Sequence, residues 1–169
     1  MGAGTSSEFK YARFIEETQE PGYSKHLVSW VNEDPNILTG PANEFCTTIP
    51  SSFRHMASKK FNKPFLGHRD EKVEGRPYVW MTWGQAREFV DNLARGYKHL
   101  GMMEDVHSEG KTWNFMGVYA KNRPEWVLTD LASSTLGGTT IAFYDTLGPQ
   151  AIEFVIKQTC LTTITTTSS

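Results

Sequence analysis

Gly137 and Gly138, followed by Thr139 and Thr140, have the residue types of a phosphate-binding loop. Backbone amides and hydroxyls in such a run suit the dense negative charge of a phosphate. However, no lysine follows the run, and it lies between a predicted helix and a predicted strand instead of after a strand. The stretch 162–169 is rich in hydroxyls but has no glycine. We therefore predict that the chain has no cofactor-binding residue.

The histidines do not form a recognisable catalytic or metal-binding pattern. The group His107-Ser108-Glu109 lies in a polar stretch, residues 102–111, which favours a solvated surface loop over a metal site. No Gly-x-Ser-x-Gly sequence is present, so the chain has no nucleophile elbow of that kind. We predict no catalytic and no metal-binding residue. The five histidines stand far apart in the sequence, at His26, His55, His68, His99 and His107.

The composition indicates a folded domain without affinity for nucleic acid. The chain has 169 residues, of which 38% are hydrophobic, and includes ten Phe, six Tyr and five Trp. This is enough to bury a core and excludes wholesale disorder. The formal net charge is −2, so no basic excess is available to bind a phosphate backbone.

The sequence favours a reducing, cytoplasmic compartment. Cys46 and Cys160 stand far apart without metal-type spacing, which favours two reduced, partly buried thiols, with a single structural disulfide as the alternative. The amino terminus has no apolar segment of a signal peptide, and it carries Glu16, Glu17 and Glu20, which mitochondrial presequences avoid. No apolar run reaches the roughly 18 residues of a membrane span.

The first six residues match the pattern for N-myristoylation. Gly2 would be exposed after removal of Met1, and Ser6 occupies the hydroxyl position of the pattern. A flexible Gly/Ser leader is the alternative. One myristoyl chain gives only marginal membrane binding, and no polybasic cluster follows to reinforce it. We therefore expect at most a weak association with membranes through Gly2.

Residues 1–50 are predicted to form an extended, irregular arm, because four prolines interrupt any long element. A helix should follow, capped by Ser51 or Ser52, with Phe53, Met56 and Ala57 on one face. A short strand is expected at residues 65–67, a charged turn at 69–76 and a strand at 78–82.

The clearest predicted element is a helix over residues 83–100. Thr82 and Gln85 form a capping box, and Gly101 suits a left-handed cap at the other end. Apolar residues recur with a helical period, which predicts a wide face directed at the core. These residues are Ala86, Phe89, Val90, Leu93, Ala94, Tyr97 and Leu100.

The remaining sequence alternates between strands and helices. Strands are predicted at residues 114–120, 139–144 and 161–166. Pro124 opens a helix that ends near Leu136, and Pro149 opens another. The second helix should direct Ala151, Ile152, Val155 and Ile156 inward. Short connections between such elements predict a parallel sheet with right-handed crossovers and flanking helices, whose last strand is left as an open edge.

Several strings in this order resemble long-chain fatty acyl-CoA synthetases of the AMP-binding, adenylate-forming superfamily. The most specific string is YDTLGP at residues 144–149, which resembles a segment that separates the long-chain enzymes from other relatives. The resemblance covers roughly residues 45–166. The other strings are WMTWGQ at 80–85, GVYAKNRPEW at 117–126 and, more weakly, FLGHR at 65–69.

The resemblance implies a two-step reaction, in which ATP and a fatty acid give an acyl-adenylate and coenzyme A then displaces AMP. It implies a phosphate loop, an acidic residue for Mg²⁺ or ribose, and a lysine from a mobile carboxy-terminal domain, none of which can be placed here. Arg123 and Glu125 most simply open a helix, and shaping a substrate rim is the alternative. Asp145 most simply ends a strand. Trp126 and Leu131 are predicted core residues.

Two hypotheses follow for residues 51–169, the predicted fragment of an AMP-binding domain. In the first, the chain is the amino-terminal segment of a long-chain fatty acid–CoA ligase and is inactive by itself. In the second, it is a non-catalytic, ligase-derived subunit of a larger assembly. A protein partner is expected to cover the sheet edge between Thr162 and Ser169 and the arm at residues 1–50.

Overall fold

The computed structural model describes residues 12–29, 44–144 and 146–167. The chain divides into two compact units, Met1–Ala42 and Asn43–Ser169. In the first unit, β1 (Ala12–Ile15) pairs antiparallel with β2 (His26–Ser29), and a 3-10 turn follows β1. The arm predicted as irregular therefore contains a short hairpin.

In the second unit, helix α1 (Ile49–Lys59) begins earlier than predicted. The prediction that Ser51 or Ser52 caps this helix is wrong, because the capping residue is Thr48. The Thr48 hydroxyl accepts a hydrogen bond from the Ser51 amide, and the Ser51 hydroxyl accepts one from the Thr48 amide. The reciprocal pair satisfies two free amides and moves the start of the helix to Ile49. As predicted, Phe53 and Ala57 are buried on one face.

The next strands form a hairpin that leads directly into a helix. The strands β3 (Pro64–Arg69) and β4 (Tyr78–Thr82) pair antiparallel around the predicted charged turn. Helix α2 (Trp83–His99) starts with the predicted capping box of Thr82 and Gln85. At its end Gly101 has a φ of +63°, and the Met102 amide donates to the Tyr97 carbonyl at 2.9 Å, which completes a left-handed cap.

Helix α2 buries only part of its apolar face. Ala86, Val90, Ala94 and Tyr97 lie in the core. Phe89 is 55% exposed and Leu100 is 70% exposed, contrary to the prediction that the whole face points inward. Helical periodicity identifies which residues share a face, but the width of the packed sheet and helices decides how much of that face is covered.

The polar stretch 102–111 is not a loop, which corrects the sequence prediction. It contains β5 (Asp105–Ser108), which pairs antiparallel with the first part of β6 (Lys111–Tyr119). The two-residue turn between them uses Glu109 at φ +54° and Gly110 at φ +72°, the left-handed values that a type I′ hairpin turn needs.

The second part of β6 belongs to a parallel sheet, as predicted, and the structure places it at the centre of that sheet. It pairs parallel with β7 (Thr139–Phe143) on one side and with β8 (Ile164–Thr166) on the other. Helix α3 (Pro124–Thr135) connects β6 to β7, and α4 (Pro149–Thr159) connects β7 to β8. Both helices have proline at the first position. Proline suits this position because it lacks a backbone N–H, and an N–H there would have no acceptor within the helix.

Two predictions about the end of the chain need correction. The last strand is only three residues long, and Leu161 is buried before it begins. A Cβ on Gly117 would lie 2.8 Å from the Leu161 side chain, so Leu161 fills space against the sheet instead of extending the ladder. Helix α4 has no fully buried residue, although Ala151, Ile152, Val155 and Ile156 are half-buried.

The core lies between the sheet and helices α1, α2 and α3. Met116 and Val118 of β6 are buried there with Leu128 and Leu131 of α3, and Trp126 packs partly buried against them. Each fully buried apolar side chain of this size contributes roughly 1.5 to 3 kcal/mol. Both cysteines are free thiols, but Cys160 is exposed instead of partly buried. No helix in the described part of the chain is both long and apolar enough to cross a bilayer.

Candidate functional site

The carboxyl ends of β6 and β8 open into a depression between helices α2 and α3. It has a volume of about 370 Å³ and is lined by Ala120, Arg123, Thr129 and Thr166, with Phe89 at its border. In open α/β sheets, ligands bind outside the carboxyl ends of strands, where connections diverge to opposite sides of a strand. This sheet meets that condition, because β7 and β8 lie on opposite sides of β6.

A second depression, of about 550 Å³, lies between the β3–β4 hairpin and helix α2. Its apolar lining includes Phe89, and its polar lining comes from His68, Gln85, Glu88, Asn92 and Glu125. Phe89 and Glu125 border both depressions. Together the depressions therefore form a surface that runs from the hairpin to the carboxyl edge of the sheet.

The charged residues of this surface are Glu88 of α2 and an ion pair at the start of α3. The Arg123 guanidinium donates a hydrogen bond of 2.7 Å from Nε to Oε2 of Glu125. This bond holds the pKa of the Glu125 carboxyl below its ordinary value, although partial burial opposes the effect. The same bond raises the pKa of Arg123. Glu125 also lies in the first turn of α3, where the helix dipole favours a negative charge.

The floor of the first depression contains polar groups that already have hydrogen-bond partners. The Tyr97 hydroxyl donates to Thr129 Oγ1 at 3.4 Å, and both side chains are buried. The Thr165 hydroxyl donates to Sδ of Met116, also at 3.4 Å. These groups satisfy one another and fix α2, α3 and β8 in place. They support the shape of the depression without presenting a reactive group.

The glycine pair predicted not to bind phosphate lies at the opposite edge of the sheet, between α3 and β7. The Gly137 amide donates to the Ser134 carbonyl at 3.1 Å, and the Gly138 amide donates to the Ser133 carbonyl at 2.9 Å. These two bonds cap the end of α3 in the manner of a Schellman motif. The amides that a phosphate would need are therefore already in use.

Most of the other candidate residues that the structure describes take part in strands. His107 and Ser108 are in β5, and His107 Nδ1 lies 3.1 Å from Thr112 Oγ1 across the hairpin. Residues 164–166 of the hydroxyl-rich stretch are paired in the sheet. Among residues 12–29, 44–144 and 146–167, no group of three or more His, Cys, Asp or Glu is placed to hold a metal ion. Gly2, Asp145, Ser168 and Ser169 lie outside the described residues.

In the described ranges, neither edge of the sheet presents a ready set of free backbone amides for the triphosphate of ATP, which the sequence resemblance implies. At the amino edge the glycine amides cap a helix. At the carboxyl edge Pro124 has no N–H, and the Glu125 carboxylate offsets the positive charge of the Arg123 guanidinium. We therefore assign no chemical step to these residues. Their arrangement positions the carboxyl ends of two strands, β6 and β8, beside an apolar surface with a charged rim.

Sequence reasoning missed two residues of this surface, His68 and Phe89. His68 appeared only within a weak family-like string, and its position beside the depression depends on pairing of the β3–β4 hairpin. Phe89 was assigned to the core because of its spacing. For Arg123 and Glu125, in contrast, the sequence offers a position on a substrate rim as an alternative, and both side chains line the first depression.

The family model of the AMP-binding enzymes matches residues 53–169. Long-chain-fatty-acid–CoA ligase 6 of Homo sapiens is 30% identical over 149 residues, which are 88% of this chain and 20% of that protein. Long chain acyl-CoA synthetase 4 of Arabidopsis thaliana is 34% identical over 107 residues, which are 62% of this chain and 15% of that protein. The chain thus spans about a fifth or less of the length of these relatives.

A solved structure shows the same fold. The N-terminal subdomain of NpsA from Klebsiella oxytoca superposes with a TM-score of 0.56, covering 71% of this chain and 28% of that one, at 14% identity. At this identity the likeness concerns the fold alone. The predicted α/β class, with a partial parallel sheet and flanking helices, is confirmed. So is the resemblance to long-chain acyl-CoA synthetases.

Proposed function

The chain belongs to the AMP-binding enzyme family, and from that premise we propose that it is the amino-terminal segment of a long-chain fatty acid–CoA ligase. The observation that carries this proposal is the 30% identity to a human long-chain ligase across 88% of the chain. The reaction proposed for the whole protein activates a fatty acid with ATP and transfers the acyl group from the adenylate to coenzyme A.

Within that protein, we propose that these residues act as a scaffold and do not catalyse adenylation by themselves. The support comes from both edges of the sheet. The Gly137 and Gly138 amides cap α3, and the Arg123 guanidinium is bonded to Glu125. Stabilising the charge that develops on transferring phosphates needs preorganised donors aimed at the reacting centre. Those donors would come from elsewhere in the ligase. The residues that bind Mg²⁺ and coenzyme A would also lie elsewhere in it.

The experiment compares the protein encoded by the complete transcript with the 169-residue chain. For the complete protein we expect pyrophosphate exchange into ATP that depends on a long-chain fatty acid, and formation of acyl-CoA when coenzyme A is added. For the 169 residues alone we expect neither. Exchange catalysed by the short chain, or no fatty-acid-dependent exchange by the complete protein, would contradict the proposal.

A second candidate is a non-catalytic subunit derived from a ligase. It is favoured by the exposed apolar side chains of α2, Phe89 and Leu100, which offer a surface for association. The same comparison separates the two candidates. A complete transcript that encodes only these residues, together with an inactive product that is purified within a larger assembly, would establish the second candidate and exclude the first.

We also propose a cytoplasmic location with weak membrane association through a myristoylated Gly2. The support is the match of the first six residues to the acylation pattern. Mass spectrometry of the amino-terminal peptide is the test. A peptide that begins at Gly2 and carries the mass of a myristoyl group is expected, and a peptide that retains Met1 would exclude the modification.

A further inference from the structure

We draw no further inference here: the strongest candidate, the depression of about 550 Å³ between the β3–β4 hairpin and helix α2, where Glu88 and Glu125 lie with Trp80 and Phe89, carries nothing because nothing in the structure shows what covers it.

Discussion

Helix α2 carries two neighbouring apolar stripes that have the same spacing but different surroundings. The inner stripe contains Ala86, Val90 and Ala94 and is buried against α1, α3 and the sheet. The outer stripe, Phe89 with Leu93 and Leu100, lines open depressions. The comparison shows that helical spacing identifies an apolar face, while the packed neighbours decide which part of that face is buried.

Substitutions on α2 should separate the two stripes by their effect on the free energy of unfolding. Val90→Ala is expected to lower the free energy of unfolding by about 2 kcal/mol, because Val90 is 1% exposed and its removal leaves a cavity. Phe89→Ala should change it by less than about 0.5 kcal/mol although the side chain is larger. Urea unfolding of both variants measures this difference. Equal losses would show that the outer stripe is also packed.

Two glycines, one on the exposed side of α2 and one in the packed sheet, sharpen the comparison. Gly96 lies between Leu93 and Leu100 on α2, and a Cβ there would meet nothing within 4 Å. Gly96→Ala should therefore stabilise the protein by about 0.5 to 1 kcal/mol through helix propensity. Gly117→Ala in the sheet is the matched control. It should destabilise by about 1 to 3 kcal/mol, because its Cβ would lie 2.8 Å from Leu161. Thermal unfolding distinguishes gain from loss.

The smallest effect concerns the charged rim beside the outer stripe. Because Arg123 lowers the pKa of Glu125 in the folded state, the pair stabilises the protein above the ordinary carboxyl pKa, and this contribution is lost as pH falls through the folded-state pKa. Solvent keeps the contribution small. In Arg123→Gln the Glu125 pKa should rise toward its ordinary value. NMR titration of the carboxyl carbon is the measurement, and an unchanged pKa would mean that the bond does not persist in solution.

Local signals in the sequence were sufficient for most of the elements that surround the candidate site. Thr82 and Gln85 set the start of α2, and Pro124 set the start of α3. The reason is that caps and first-turn prolines act within a few residues and need no distant partner. Strand β5 was missed because its pairing across Glu109 and Gly110 depends on left-handed backbone values that a non-glycine residue rarely adopts.

The sequence by itself determined the family, the alternation of strands and helices, and the parallel direction of the last three strands. Tertiary structure alone decided that β6 lies between β7 and β8 and that Phe89 faces outward. Each of these depends on contacts between residues distant in sequence. Periodicity within one helix or strand can state which side chains share a face, but only the packed neighbours determine whether that face is covered.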